Sequence, residues 1–204
     1  MSASPARNQR ADARRSRAAI LDAAVRLLDA DPDVSVETIA AEAGVTRQTV
    51  YAHFPTRERL LAAVVERITE QAVAAMDAAD PDEGPAAQAL ARVLRAASLV
   101  AGRHPALMAR IAALPVTAQA DRDLHAPVAE RLERVIRRGQ DSGEFDASLP
   151  PGWLVTVTIR LGHAASEAAS AGLVPQEEAA RALHVTLLRA LGASDRASGL
   201  PGPG

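Results

Sequence analysis

The stretch from Ser35 to Phe54, SVETIAAEAGVTRQTVYAHF, constrains the fold more tightly than any other part of the chain. With Val36 as the first position of the frame, Ile39, Ala43, Val45 and Val50 fall where two helices crossing at a steep angle bury apolar groups. Ala40 falls where the helices touch and a larger side chain would clash. Gly44 falls where the backbone leaves the first helix, a place that favours a residue tolerant of positive φ. The pattern predicts a short helix, a tight turn and a second short helix. Thr46, Arg47, Gln48 and Ala52 then lie on the open face of the second helix. A plain helical core has no use for Thr, Arg, Gln, Thr, Tyr and His on one short helix. A helix that enters a DNA major groove does.

The rest of the composition agrees with helices throughout. Apolar residues are 48% of the chain and aromatics only 2%, so the apolar content comes mostly from Ala, Leu and Val. Ala and Leu are good helix formers, and no convincing run of alternating β-branched residues interrupts them. The expected class is all-α. There is no Cys, which excludes disulfides and thiolate chemistry and fits a reducing, cytoplasmic setting. No apolar run is long enough to span a bilayer, and the first residues lack the apolar core of a secretion signal. The formal net charge is −2, so contact with a polyanion has to come from a local patch.

Breakers divide the chain. Residues 1–13 are polar, Ala-rich and expected to be a disordered basic arm. Its arginines, Arg7 and Arg10, read equally as contacts to DNA or as a solvated tail, whereas Arg14, Arg15 and Arg17 favour DNA. A first helix is expected from about Arg14 to Ala30, with Ile20, Leu21, Ala24, Leu27 and Leu28 on one stripe. Ser35, Thr46 and Thr56 stand where they can cap helices two, three and four. The segment DPDEGP, residues 80–85, is the clearest linker. Five more helices are expected: about Ala86 to Ala101, from Pro105, about Leu124 to Ser142, about Gly152 to Ala171, and Pro175 to about Leu191. The tail, residues 193–204, is expected to be disordered.

A three-helix head followed at once by a long fourth helix resembles the TetR family of bacterial regulators. The likeness rests on the block TIAAEAGVTRQTVYAHFPTRERLL, with its Ala-Gly-Val turn, its Tyr51-x-x-Phe54 pair and the charged start of helix four. Arg57 stands where the family commonly has Lys, and Leu28 where an aromatic is common. The resemblance implies a DNA-binding domain over 14–62 and an effector-binding and dimerisation domain over 63–192. It implies phosphate contacts from Ser35, Thr46, Tyr51, His53 and Arg57, and base contacts from Arg47, Gln48 and Thr49. The chemistry agrees: hydroxyls and Arg bind phosphate oxygens, Arg pairs with guanine and Gln with adenine. Tyr51 also reads as a residue packed on helix one with its hydroxyl free, and His53 as a helix-end residue.

One short reading head makes few contacts, so two heads on a homodimer, about 34 Å apart or a multiple of that, are expected to read a near-palindromic operator in double-stranded DNA. Leu154, Thr158, Leu161, Ala165 and Ala168 on helix eight, with Ala182, Val185 and Arg189 on helix nine, are the candidates for a four-helix interface. The same stripes also read as facing their own core. The resemblance further implies a small-molecule effector. Met76, Leu99, Met108, Trp153, Val157, Arg160 and His163 are the candidates to line its site, though Trp153 also reads as core and Arg160 as half of an ion pair. Scarce aromatics favour an aliphatic effector over a large flat one. No cofactor or metal is expected, because His104, His125, His163 and His184 are scattered without a ligand motif. An enzyme is not expected either: there is no G-x-S-x-G, P-loop or Gly-rich dinucleotide turn. An activator of the same fold, or an interaction module that has lost DNA binding, is the alternative to a repressor.

Overall fold

A computed structural model of the chain describes residues 5–112 and 117–193. Nine helices and no strand are present among them: α1 Pro5–Ala30, α2 Val36–Glu42, α3 Arg47–His53, α4 Arg57–Asp77, α5 Ala86–Ala101, α6 Pro105–Ala112, α7 Ala118–Asp141, α8 Pro151–Ser170 and α9 Gln176–Ala190. The all-α expectation is met, and most boundaries fall within two residues of those the sequence suggests. Two do not. Helix α1 begins at Pro5 rather than near Arg14, so the part of the basic arm from Pro5 onward is helical and not disordered. Proline suits a first helical turn, and the Ala and Arg that follow prolong a helix whose second half is fixed by packing. Helix α7 begins at Ala118 rather than near Leu124, because the Thr117 hydroxyl accepts a hydrogen bond from the Ala120 N–H at 3.1 Å. The expected tail beyond Ala193 and residues 1–4 lie outside the described residues.

The chain divides into two compact units. The first contains α1, α2, α3, α4 as far as Ile68, and α6. Its core is the apolar stripe of α1 (Ile20, Leu21, Ala24 and Leu28) closed by Ile39, Ala40, Val50, Phe54, Leu60 and Val64, all buried. This compact unit reaches beyond residues 14–62. Ile68 is buried, and α6 is fastened onto α1: Leu107 is fully buried, its N–H donates to the Asp29 carboxylate at 3.1 Å, and Arg110 pairs with Asp33 at 3.3 Å. A carboxylate at the first turn of a helix satisfies an amide that has no partner within the helix.

The second unit holds the remainder of α4 with α5, α7, α8 and α9. Met76, Leu90, Val93, Leu132, Ile136, Phe145, Leu154, Leu187 and Leu191 form its core. Where α7 ends, the chain folds back so that the Phe145 ring covers Gly139, and the Phe145 N–H donates to the Gly139 carbonyl at 2.9 Å. The acidic linker after α4 is held down. The Arg92 guanidinium donates to the carbonyls of Ala79, Asp80 and Glu83 at 3.0, 2.7 and 2.6 Å, and Arg138 donates to those of Pro81 and Gly84. Among the described residues no helix is long and apolar enough to cross a membrane.

Candidate nucleic-acid interface

The reading head is built by capping and by one turn. The Ser35 hydroxyl accepts from the Thr38 N–H, and the Thr46 hydroxyl accepts from the Thr49 N–H, each at 3.1 Å. Both caps are the ones expected. Gly44 has φ 67°, and the Val45 N–H donates back to the Ala40 carbonyl at 3.0 Å, which reverses the chain between α2 and α3. Ile39, Ala40 and Val50 are buried where the two helices meet, with Ala43 and Val45 half-buried beside them. That packing leaves Thr46, Arg47, Gln48, Tyr51 and Ala52 exposed on α3, with Thr49 and His53 half-buried.

Arg47 is engaged on this surface. Its guanidinium lies 5.3 Å from the centroid of the Tyr51 ring, hydrogen-bonds the Tyr51 hydroxyl at 3.4 Å and forms an ion pair with Glu37 of α2. The hydrogen bond to Tyr51 and then the Glu37 charge hold its pKa above the ordinary arginine value. Arg17 of α1 lies over the Phe54 ring at 5.3 Å, which brings an exposed cation to the C-terminal end of α3. The Tyr51 ring is thus a partner for Arg47 on an open face, rather than filler against α1. Gln48 is exposed at the first turn of α3.

Arg57 stands apart from the other residues singled out in the sequence. Its two terminal nitrogens donate to the carbonyls of Val34 and Pro32, both at 2.8 Å. The fork is spent on the loop between α1 and α2, and so fixes where Ser35 begins α2. It is the family resemblance, through the charged start of helix four, that implies a phosphate contact for Arg57. The two carbonyls lie more than twenty residues back in the chain, and no local signal marks them.

Residues 20–64 match the family model described as bacterial regulatory proteins, tetR family. Over 179 residues the chain is 32% identical to the HTH-type transcriptional repressor LfrR of Mycolicibacterium smegmatis, covering 85% of this chain and 88% of that protein. The chain belongs to the TetR family. It is thereby a DNA-binding transcriptional regulator with a helix-turn-helix head. The solved structure of LfrR in complex with proflavine superposes with a TM-score of 0.61 at 32% identity, over 85% of this chain and 94% of that one. A putative TetR-family regulator from Shewanella sp. PV-4 superposes with a TM-score of 0.65 at 25% identity, over 86% and 97% of the two chains.

The residues expected to line a TetR-family effector site differ in burial and belong to both units. Met76 is wholly buried in the core of the second unit, Val157 is half-buried, and Leu99 and Trp153 are each 58% exposed. The core reading of Trp153 is therefore incorrect: it stands on the outer side of the first turn of α8, next to the buried Leu154. Met108 belongs to the first unit, on α6. Arg160 and His163 do come together, against Asp121 and His125 of α7. Arg160 pairs with the Asp121 carboxylate at 2.6 Å, and His163 Nε2 lies 3.2 Å from His125 Nε2.

The candidate dimer residues split in the same way. Leu154 and Thr158 are buried within their own unit, and the Thr158 hydroxyl donates to the Leu154 carbonyl at 2.8 Å. They are core, because the face of α8 that carries them packs on its own neighbours. Ala182, Val185 and Arg189 are exposed on α9. Leu161, Ala165, Ala168 and Ala182 line an open apolar groove of about 210 Å³ between α8 and α9.

Proposed function

We propose that this TetR-family protein is a ligand-responsive repressor that binds a near-palindromic operator as a homodimer. The observation that carries the reading is the capped helix α3, whose exposed face presents Thr46, Arg47 and Gln48 beside Tyr51. Arg47, Gln48 and Thr49 read base edges. Ser35, Thr46, Tyr51, His53 and Arg17 hold the phosphates that set the register. Arg57 acts on DNA through the loop that carries Ser35. The half-buried Leu161, Ala165 and Ala168 of α8 and the exposed Ala182, Val185 and Arg189 of α9 bring two heads together across an apolar groove made largely of small side chains. Close approach of helices favours such residues.

The similarity to LfrR, a protein named as a repressor and crystallised with proflavine, supports both halves of this reading. The few aromatics of the present chain point instead to an aliphatic effector. Without effector the two heads stand at operator spacing. An effector that binds better to another spacing shifts the population and releases DNA, by no more than its differential affinity for the two states.

Selection from a random duplex pool at near-physiological salt tests the proposal. The expected result is a near-palindrome whose enrichment collapses in Gln48→Ala. Folded, dimeric protein that enriches nothing, with small molecules removed by unfolding and refolding, refutes it.

A further inference from the structure

One polar cluster in the second unit has no part in DNA binding. Asp121 and His125 lie one turn apart on α7, and Arg160 and His163 nearly one turn apart on α8. The His125 Nδ1 lies 2.7 Å from the Asp121 backbone carbonyl and 3.2 Å from the Asp121 carboxylate. Both of those oxygens only accept, so Nδ1 carries the proton. A neutral His125 then keeps its lone pair on Nε2, which is the nitrogen that faces His163.

From this geometry we propose that His125 and His163 form a binding site for a divalent transition-metal ion of the zinc, nickel or copper class. A tetrahedral ion bound at about 2.0–2.1 Å by two imidazoles holds their nitrogens about 3.3 Å apart. The two Nε2 atoms are 3.2 Å apart, a hydrogen bond in which His163 Nε2–H donates to the His125 lone pair; an entering ion replaces that proton, and His163 keeps its proton on Nδ1 instead. Orientation agrees as well. Rings aimed head-on at that nitrogen separation would have centroids about 5.5 Å apart, whereas rings converging on one ion at zinc distances stand about 5.0 Å apart. The centroids are 4.9 Å apart, and the rings are tilted by 57°.

The surroundings suit the same ligand set. A carboxylate and a carbonyl behind the coordinating imidazole fix its tautomer and raise its basicity, an arrangement common at metal-bound histidines. The Arg160 charge, which would repel a cation, is held by the Asp121 carboxylate at 2.6 Å. The two ligands sit on different helices, α7 and α8, of one compact unit. Among the described residues no group of three or more His, Asp or Glu is placed to hold a metal. The ion therefore has two protein ligands and fills its remaining positions with water. A sequence scan misses such a pair because its members are 38 residues apart.

The inference is independent of the DNA-binding reading, because it is tested on the free protein. Titration of the full-length, metal-stripped chain with zinc chloride in a calorimeter should give one site per chain. His125→Ala and His163→Ala should each weaken it about tenfold or more, Asp121→Asn should weaken it measurably, and His184→Ala should leave it unchanged. No zinc binding by folded protein, or equal binding in both histidine variants, overturns the proposal. If those variants fail to fold, the wild type decides: zinc should protect His125 and His163 from diethyl pyrocarbonate while His53, His104 and His184 still react. Equal modification of His125 and His163 with and without zinc overturns it.

Discussion

Replacing Gly139 by alanine sets two effects of opposite sign against each other. In a helix interior Ala is favoured over Gly by about 0.8–1.0 kcal/mol; Gly139 lies in the last turn of α7, so α7 alone should gain at most about that much. The Cβ, however, would stand 2.2 Å from Cδ2, 2.5 Å from Cε2 and 2.8 Å from Cγ of Phe145. Carbon atoms pack at about 3.5–4.0 Å, so the ring has to retreat by more than an ångström. It has little room: Phe145 is only 3% exposed, and its backbone is tied to the Gly139 carbonyl. Overpacking costs about 1–3 kcal/mol, and an overlap this deep with a buried ring falls in the upper part of that range, about 2–3 kcal/mol, which outweighs the helical gain and leaves a net loss of about 1–2 kcal/mol. At about 2–4 °C per kcal/mol for a chain of this size, Tm should fall by about 2–8 °C. Thermal and urea unfolding of Gly139→Ala measure it. Gly162→Ala, whose Cβ meets nothing within 4 Å, should have the opposite sign. Combining Gly139→Ala with Phe145→Leu should cost less than the sum of the two, by at least about 0.5 kcal/mol. A Gly139→Ala variant more stable than the wild type refutes the argument, since it would mean that the ring is not held over the helix.

Three further outcomes are expected. Gly44→Ala meets no atom within 4 Å but must adopt φ 67°, so it should lose about 1–2 kcal/mol in urea unfolding, with Gly44→Asn losing less. Arg57→Ala releases two carbonyls and should cost about 1–3 kcal/mol; the DNA sequence it selects should stay that of the wild type, and a changed consensus would place Arg57 on the bases instead. The third concerns pH. The Asp77 carboxyl has its pKa lowered chiefly by its hydrogen bonds to Arg131, at 3.1 Å from each oxygen. A depressed folded-state pKa stabilises the protein above the unfolded value of about 3.9, and that stabilisation is lost as pH falls through the folded value. The urea midpoint of Arg131→Gln should therefore lie below that of the wild type at pH 7 and approach it in acid. A gap that persists at the lowest pH assigns the loss to packing.

What the sequence reveals here is what neighbouring residues decide. Ser35, Thr46 and Gly44 act within four residues of themselves, and their roles in the turn and the caps were legible from spacing alone. The exposed face of α3 was legible for the same reason. The role of Arg57 was not, because its carbonyl partners at Pro32 and Val34 come from another part of the chain. The start of α1 is not legible in that way, since polar composition suggests disorder while Ala and Arg sustain a helix once it is anchored. Leu154 and Thr158 show the limit of periodicity: a stripe identifies a buried face without saying whether its own chain or a second copy buries it. The pairing of His125 with His163 depends wholly on how α7 packs on α8.

On the proposed reading, in which Arg47 meets a base, its link to Glu37 gives DNA reading the form of an exchange. An arginine free in water gives up only hydration when it turns to a guanine. Arg47 must also leave a carboxylate on α2 and a tyrosine hydroxyl on its own helix. The gain at a correct base is then the difference between two sets of partners, and a wrong base competes against a home that is already occupied. Such a side chain discriminates by how readily it returns, and the carboxylate that receives it belongs to the helix behind the reader, which need never touch the base.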